Sequence, residues 1–284
     1  ADLESHIDFG KNTVLKMKVL SPKVGGITMK VENASVPGFD GSGDNTIIWN
    51  KASGGIPDSV EVGDGGRITF SFSALPLLSG QKSIFKNPEI NVDIKFRGVR
   101  SAEGREDGSF IETNFSKKIR LNSNIQVAGR VLYHSGPFKN EGPLPPIRDS
   151  ETTYTVVWSL VNSSNDVSGV KIKTTLPPNA RWIGTVSPGN EKVEFTPLTG
   201  EIIWDVGSVK AGSGVTIPAK EVAFQIGITP NLASVGSYPV VIYDTLLSGI
   251  DDFTGKDLKY SRRSLDTKLG ADPLIKGIEG EPVR

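Results

Sequence analysis

Short apolar runs recur along the whole chain, four to eight residues at a time, and glycine or proline separates them. Leu15-Lys16-Met17-Lys18-Val19, Arg67-Ile68-Thr69-Phe70-Ser71-Phe72 and Ile90-Asn91-Val92-Asp93-Ile94-Lys95-Phe96 alternate apolar with polar side chains. Phe110 to Leu121 keeps the same period, with Ile111, Thr113, Phe115, Lys117, Ile119 and Leu121 on one side. Thr153 to Val161 is more continuously apolar. A period of two puts successive side chains on opposite faces of a strand. No segment of ten or more residues combines helical apolar spacing with a cap, so the pattern predicts an all-β protein.

The pattern also repeats. Leu15-Lys16-Met17-Lys18 with Pro22 matches Val170-Lys171-Ile172-Lys173 with Pro177, and Ile47-Ile48-Trp49-Asn50 matches Ile202-Ile203-Trp204-Asp205. One offset of 155 positions separates Leu15 from Val170 and Trp49 from Trp204. A further strand follows each tryptophan by about twenty residues, Ile68 to Phe72 and Val222 to Ile226. The chain therefore reads as two tandem immunoglobulin-like β-sandwich domains, residues 1–123 and 124–284, with the boundary near Asn122 to Gln126. The second copy has a first strand at Ile125 to Tyr133, a Pro-rich crossing at Gly142 to Ile147, and a long strand at Thr153 to Val161. The first has only fourteen residues before Leu15, so it reads as lacking N-terminal strands or as completed by an upstream strand.

Residues 146 to 229 resemble the conserved-repeat Ig-like domain of bacterial and archaeal surface proteins (domain-of-unknown-function family number eleven). Thr153-Tyr154-Thr155-Val156 with Asn162 is similar to its Tyr-Thr-Val strand, and Val170 to Pro177 to its strand with a Leu-Pro turn. Thr199 to Gly207 is similar to its Trp-centred strand, and Lys210-Ala211-Gly212 stands at its Pro-Gly turn. Gly142 to Pro146 and Asp251 to Gly255 also resemble long surface proteins of candidate-phylum bacteria. The resemblance implies a tandem, extracellular, cell-surface architecture and no activity.

Composition narrows the chemistry. The 284 residues carry 32 basic and 32 acidic side chains, so no global field draws in nucleic acid or anionic lipid. Cysteine is absent, which removes disulfides, thiolate metal sites and cysteine nucleophiles. No run reaches the ~20 apolar residues of a membrane span. The chain opens on Ala1 without a signal-peptide pattern, as a mature form or an excised fragment would.

The two histidines, His6 and His134, are placed in a ragged N-terminal stretch and at a strand end, and neither is set among partners for catalysis. Gly63-Asp64-Gly65-Gly66 lacks the residues of a phosphate loop and reads as a hairpin turn. Trp49 and Trp204, inside apolar runs, are expected to plug the core, as is Trp182.

Three loops hold clustered oxygen ligands: Asp40 to Asn45, Glu103 to Asp107, and Asp251-Asp252 with Asp257. Of these, Asp251, Asp252 and Asp257 are the candidate calcium ligands; no other cofactor is expected. Lys16, Lys18, Lys171 and Lys173 alternate with apolar residues and should face solvent, which leaves them unavailable for a Lys–Asn cross-link.

The expectation is a protein that is not an enzyme: a spacer, or a component of a cell-surface lattice, stalk or filament. Its expected partners are neighbouring Ig-like domains or copies of itself. The alternative is an adhesin or carbohydrate-binding module that meets a surface glycan or protein through sandwich loops, where Phe39, Phe138 and Phe253 lie.

Overall fold

The computed structural model describes the main chain of residues 2–9, 29–34, 64–74, 84, 86–102 and 105–284, with side chains for 84, 86–90 and 112–284. The chain forms two compact units, Ala1–Gln81 with Asn87–Leu121, and Lys82–Lys86 with Asn122–Arg284. The regular structure of the described residues is β-strand, with two short 3-10 turns at Leu232–Ser234 and Gly277–Gly280.

In the first unit, β1 (Asp2–Phe9) and β2 (Met29–Ala34) flank β3 (Asp64–Ala74) in an antiparallel sheet. The opening residues thus form an eight-residue strand, with His6 opposite Arg67. The Gly63–Gly66 segment corrects the sequence reading. β3 starts at Asp64, and Asp64, Gly65 and Gly66 pair with Phe9, Asp8 and Ile7, because the ladder is made by main-chain N–H and C=O groups, which glycine carries like any other residue. β4 (Glu89–Ala102) and β5 (Arg105–Arg120) make a long antiparallel ribbon, which places Glu106 and Asp107 in a strand. Leu15 to Val19, Phe39, Asp40 to Asn45 and Trp49 lie outside the described residues.

The second unit is a sandwich of two antiparallel sheets. One runs β6 (Ile125–Leu132), β7 (Thr152–Asn162), β12 (Glu221–Ile228), β9 (Ala180–Ser187). The other runs β10 (Lys192–Thr196), β11 (Glu201–Val209), β8 (Val167–Thr175), β14 (Thr245–Asp251), β15 (Asp257–Arg262). The first order is the A-B-E-D sheet of an immunoglobulin domain. In the second, β8, β14 and β15 stand as C, F and G, with β11 and β10 beside C. One permutation distinguishes it: β9 takes the D position although it precedes β10 and β11 in the chain. The fold is Ig-like. A small ribbon of β13 (Val240–Ile242) and β16 (Leu265–Asp266) completes it.

Alternation in the sequence becomes a two-sheet core here. Tyr154, Val156, Trp158 and Leu160 of β7 and Val222, Phe224, Ile226 and Ile228 of β12 meet Ile172, Ile202, Trp204 and Leu247 from the opposite sheet. Trp158 and Trp204 stack across the gap, 6.4 Å between ring centroids and 15° between planes, and Phe224 lies edge-on to Trp158 at 4.8 Å. Each fully buried side chain of this size removes enough apolar surface to contribute roughly 1.5–3 kcal/mol. Trp182 stacks on Phe195 at 5.6 Å and packs against the core from the side where β9 and β10 form the sheet edges.

Candidate functional site

The two outer faces of this sandwich are treated differently, and that difference locates the candidate site. Over the four-stranded sheet lies the connection between β6 and β7. Phe138 of that connection packs on Leu132, Val157 and Ala223. Asn140 donates from Nδ2 to the Tyr133 carbonyl and to Thr155 Oγ1, both at 2.9 Å, and its Oδ1 accepts from Gln225 Nε2 at 2.9 Å. Thr153 N–H donates to the Glu141 carbonyl at 2.8 Å, so the crossing is laced to β7. Gly142 is obligatory there, with φ of 105° and Glu151 and Thr152 main-chain atoms where a Cβ would stand.

The outer face of the five-stranded sheet carries no such cover among the described residues. Its side chains form a grid fixed by strand register. One row runs Glu194, Ile203, Lys173, Leu246, Ser261 from β10 to β15. The next runs Lys192, Asp205, Lys171, Ser248, Lys259. Leu246 is 54% exposed and Ile250 47%. Lys173 pairs with Glu201 at 2.5 Å and stands in register between Ile203 and Leu246, so its aliphatic stem continues their row. A groove of about 580 Å³ opens over these residues.

Each end of the sandwich is fixed by a buried aspartate. At the entry end, Asp251 Oδ2 accepts from Ser123 N–H at 2.6 Å and Asn165 Nδ2 at 2.8 Å, and Oδ1 from Phe253 and Thr254 N–H at 2.9 and 3.0 Å. Burial opposes ionisation, but these donors win and hold the carboxyl below its ordinary range. Ser123 Oγ in turn donates to Asn162 Oδ1 at 2.6 Å.

At the opposite end, Asp272 accepts from the N–H groups of Tyr133, His134, Ser135 and Leu274, and from Ser135 Oγ. Burial pushes its pKa up, yet the Leu274, Tyr133 and Ser135 donors bring it down to about 2. Residues 283 and 284 are tied down at the same end of the sandwich. Arg284 N–H donates to the Pro146 carbonyl and Val283 N–H to the Ser237 carbonyl.

No protein-family model and no curated protein matches the chain. Among solved structures it is similar to the major pilin subunit BcpA of Bacillus cereus, at 7% identity and a TM-score of 0.33, over 94% of this chain and 69% of that one. It is also similar to the C-terminal domain of the antigen I/II polypeptide BspA of Streptococcus agalactiae, at 12% identity and 0.29, over 92% and 81%. A third is the C-terminal domain of the antigen I/II-family protein AspA of Streptococcus pyogenes, at 12% and 0.27, over 93% and 92%. Scores this low do not establish a common fold; the fold stands on the strand order of the second unit.

The residues singled out in the sequence fall into place as follows. Asp251 is fully buried with each oxygen accepting two N–H bonds, Asp252 is exposed and accepts from Ser168 Oγ at 2.5 Å, and Asp257 is exposed at the start of β15. Among the described residues no three His, Cys, Asp or Glu side chains group to hold a metal ion. His134 faces Glu279, with Nε2 3.1 Å from Oε2. Lys171 and Lys173 are exposed, Trp204 is fully buried, and Phe138 packs inward. Sequence reasoning did not single out Asp272, Asn140 or the Leu246 row. No helix among the described residues is long and apolar enough to cross a membrane.

Proposed function

We propose that this chain is a non-catalytic structural piece of a prokaryotic cell-surface protein, a link in a spacer, stalk, filament or surface lattice. The proposal includes membership of its second unit in the conserved-repeat Ig-like family, and an extracellular location. The observation that carries it is the anchoring of the second unit at both ends. Residues 122–125 enter beside Asn162 and the Asp251 pin. Residues 283 and 284 are held at the other end, among the loops beyond Thr152 and Ile228. The eleven residues of β7 separate the two ends by about 35 Å. Force applied along that line loads the β6–β7 hydrogen bonds in shear, so that many must yield together. A linking domain needs that property.

Stretching the second unit between residues 122 and 284 tests this. It should resist as one cooperative body, and Asp251→Ala should release β6 at clearly lower force. Extension at the force of an unstructured chain overturns the reading. A parent gene product with neither an export signal nor further sandwich repeats would also count against it. The loop-based adhesin reading is the weaker one, because Phe138 is spent on packing the crossing against its sheet.

A further inference from the structure

We propose that the bare face of the five-stranded sheet is a docking surface for an extended polypeptide segment of alternating acidic and apolar residues. The grid supplies two parallel lanes. Ile203, the Lys173 stem and Leu246 make an apolar lane, and Lys171, Ser248 and Lys259 make a cationic one in the adjacent row. In an extended segment lying across the strands, successive side chains point to opposite sides, one set to each lane. The lane from β11 to β15 spans three interstrand spacings, about 14 Å, or about four extended residues.

Charge decides the sign of the occupant. Lys171 and Lys259 flank the Ser248 hydroxyl in register, and no carboxylate of the described residues lies within 4 Å of either ammonium. The acids on this face are engaged elsewhere or stand apart. Glu201 holds Lys173, Glu194 stands on the outer strand and Asp257 sits opposite Ile250. Asp205 lies in register between Lys192 and Lys171 without an ion pair to either, and the lining of the groove itself holds three lysines and no carboxylate. Stacking of two copies face to face about a two-fold axis is disfavoured, since the central strand carries both Lys171 and Lys173 and would set lysine on lysine. A sugar chain would want a ring to stack on, and the aromatic side chain lining the groove, Tyr260, packs against the core instead.

The test titrates the whole chain with a capped Asp-Leu-Asp-Leu-Asp-Leu peptide and with its Lys-Leu counterpart. The acidic peptide should bind saturably and the basic one should not. Affinity should fall at least about tenfold in Lys171→Glu/Lys259→Glu, and should weaken steeply between about 0.05 and 0.5 M salt. Leu246→Ser should weaken binding severalfold without altering the salt dependence. These side chains are exposed, so unchanged melting curves should accompany all three substitutions. Equal binding of both peptides overturns the proposal, as does undiminished affinity in the double variant or no saturation at millimolar peptide. Saturable binding of alginate or of phosphatidylglycerol vesicles in place of the acidic peptide also overturns it.

Discussion

The two sheets of the second unit share one core but present opposite outer surfaces. β12 is buried at seven consecutive positions, Val222 to Ile228, because one side meets the core and the other meets the crossing. β14, in the facing sheet, alternates strictly between buried and exposed. The covered face is therefore a place where structure is made, by Asn140, Gln225 and Phe138. The bare face is a place where stability is not at stake. Substitutions should separate the two: costly beneath or at the ends of the crossing, nearly silent on the grid.

The largest effect is expected from Asp272→Ala. This carboxylate anchors residues 133–135, from which the crossing departs, and it satisfies four main-chain N–H groups in a site that is 5% exposed. Stranding those donors should cost about 3 kcal/mol or more in chemical denaturation of the second unit. A loss under about 1 kcal/mol would mean that the crossing holds its place without this anchor.

Acid should expose the same anchor more gently. The folded-state pKa of Asp272 is about 2 against an ordinary 3.8, so its contribution is fully present above the ordinary value. As the pH falls from about 4 toward 2 it is lost, roughly 2 kcal/mol in all. In Asp272→Ala this part of the acid dependence should vanish, which stability curves at stepped pH would reveal.

Next comes Asn140→Ala, at about 2 kcal/mol, because the substitution leaves the Gln225 amide and the Thr155 hydroxyl short of a partner under the crossing. Hydrogen exchange of the Thr153 amide, which donates to Glu141, should quicken at the same time. Quickened exchange on β8 or β14 instead would show that the two faces are not energetically separate.

How much of this the sequence disclosed follows from how local each feature is. The strands announce themselves through a period of two, and the outward lysines Lys171 and Lys173 and the inward Trp204 follow from that period alone. The near-continuous apolar run from Thr153 to Val161 reads as a strand, and its burial on both sides became visible only with the crossing in place. The anchors are not legible in this way. Asp272 precedes a proline and looks like ordinary turn chemistry, and its partners lie far upstream at Tyr133 to Ser135. The grid is hidden for a related reason. Lys171, Ser248 and Lys259 become neighbours only through the pairing of β8, β14 and β15, which no local pattern specifies. The Gly63–Gly66 segment failed in the opposite direction. Its residues have turn composition, but a partner strand was available to pair with the main chain of Asp64, Gly65 and Gly66.

The smallest expected effect lies on the bare face, and it sharpens the comparison most. Leu246→Ser removes a side chain that is 54% exposed, and Lys259→Ala removes a cation with no carboxylate within 4 Å among the described residues. Both should leave the stability of the second unit within about 0.5 kcal/mol of its starting value, the range of surface substitutions away from special contacts. Chemical denaturation of the two variants side by side with Asn140→Ala checks this. If Leu246→Ser proved as costly as Asn140→Ala, the grid would be packed against something in the folded protein. The contrast between a covered and a bare face would then be lost, because both faces would be working as interior.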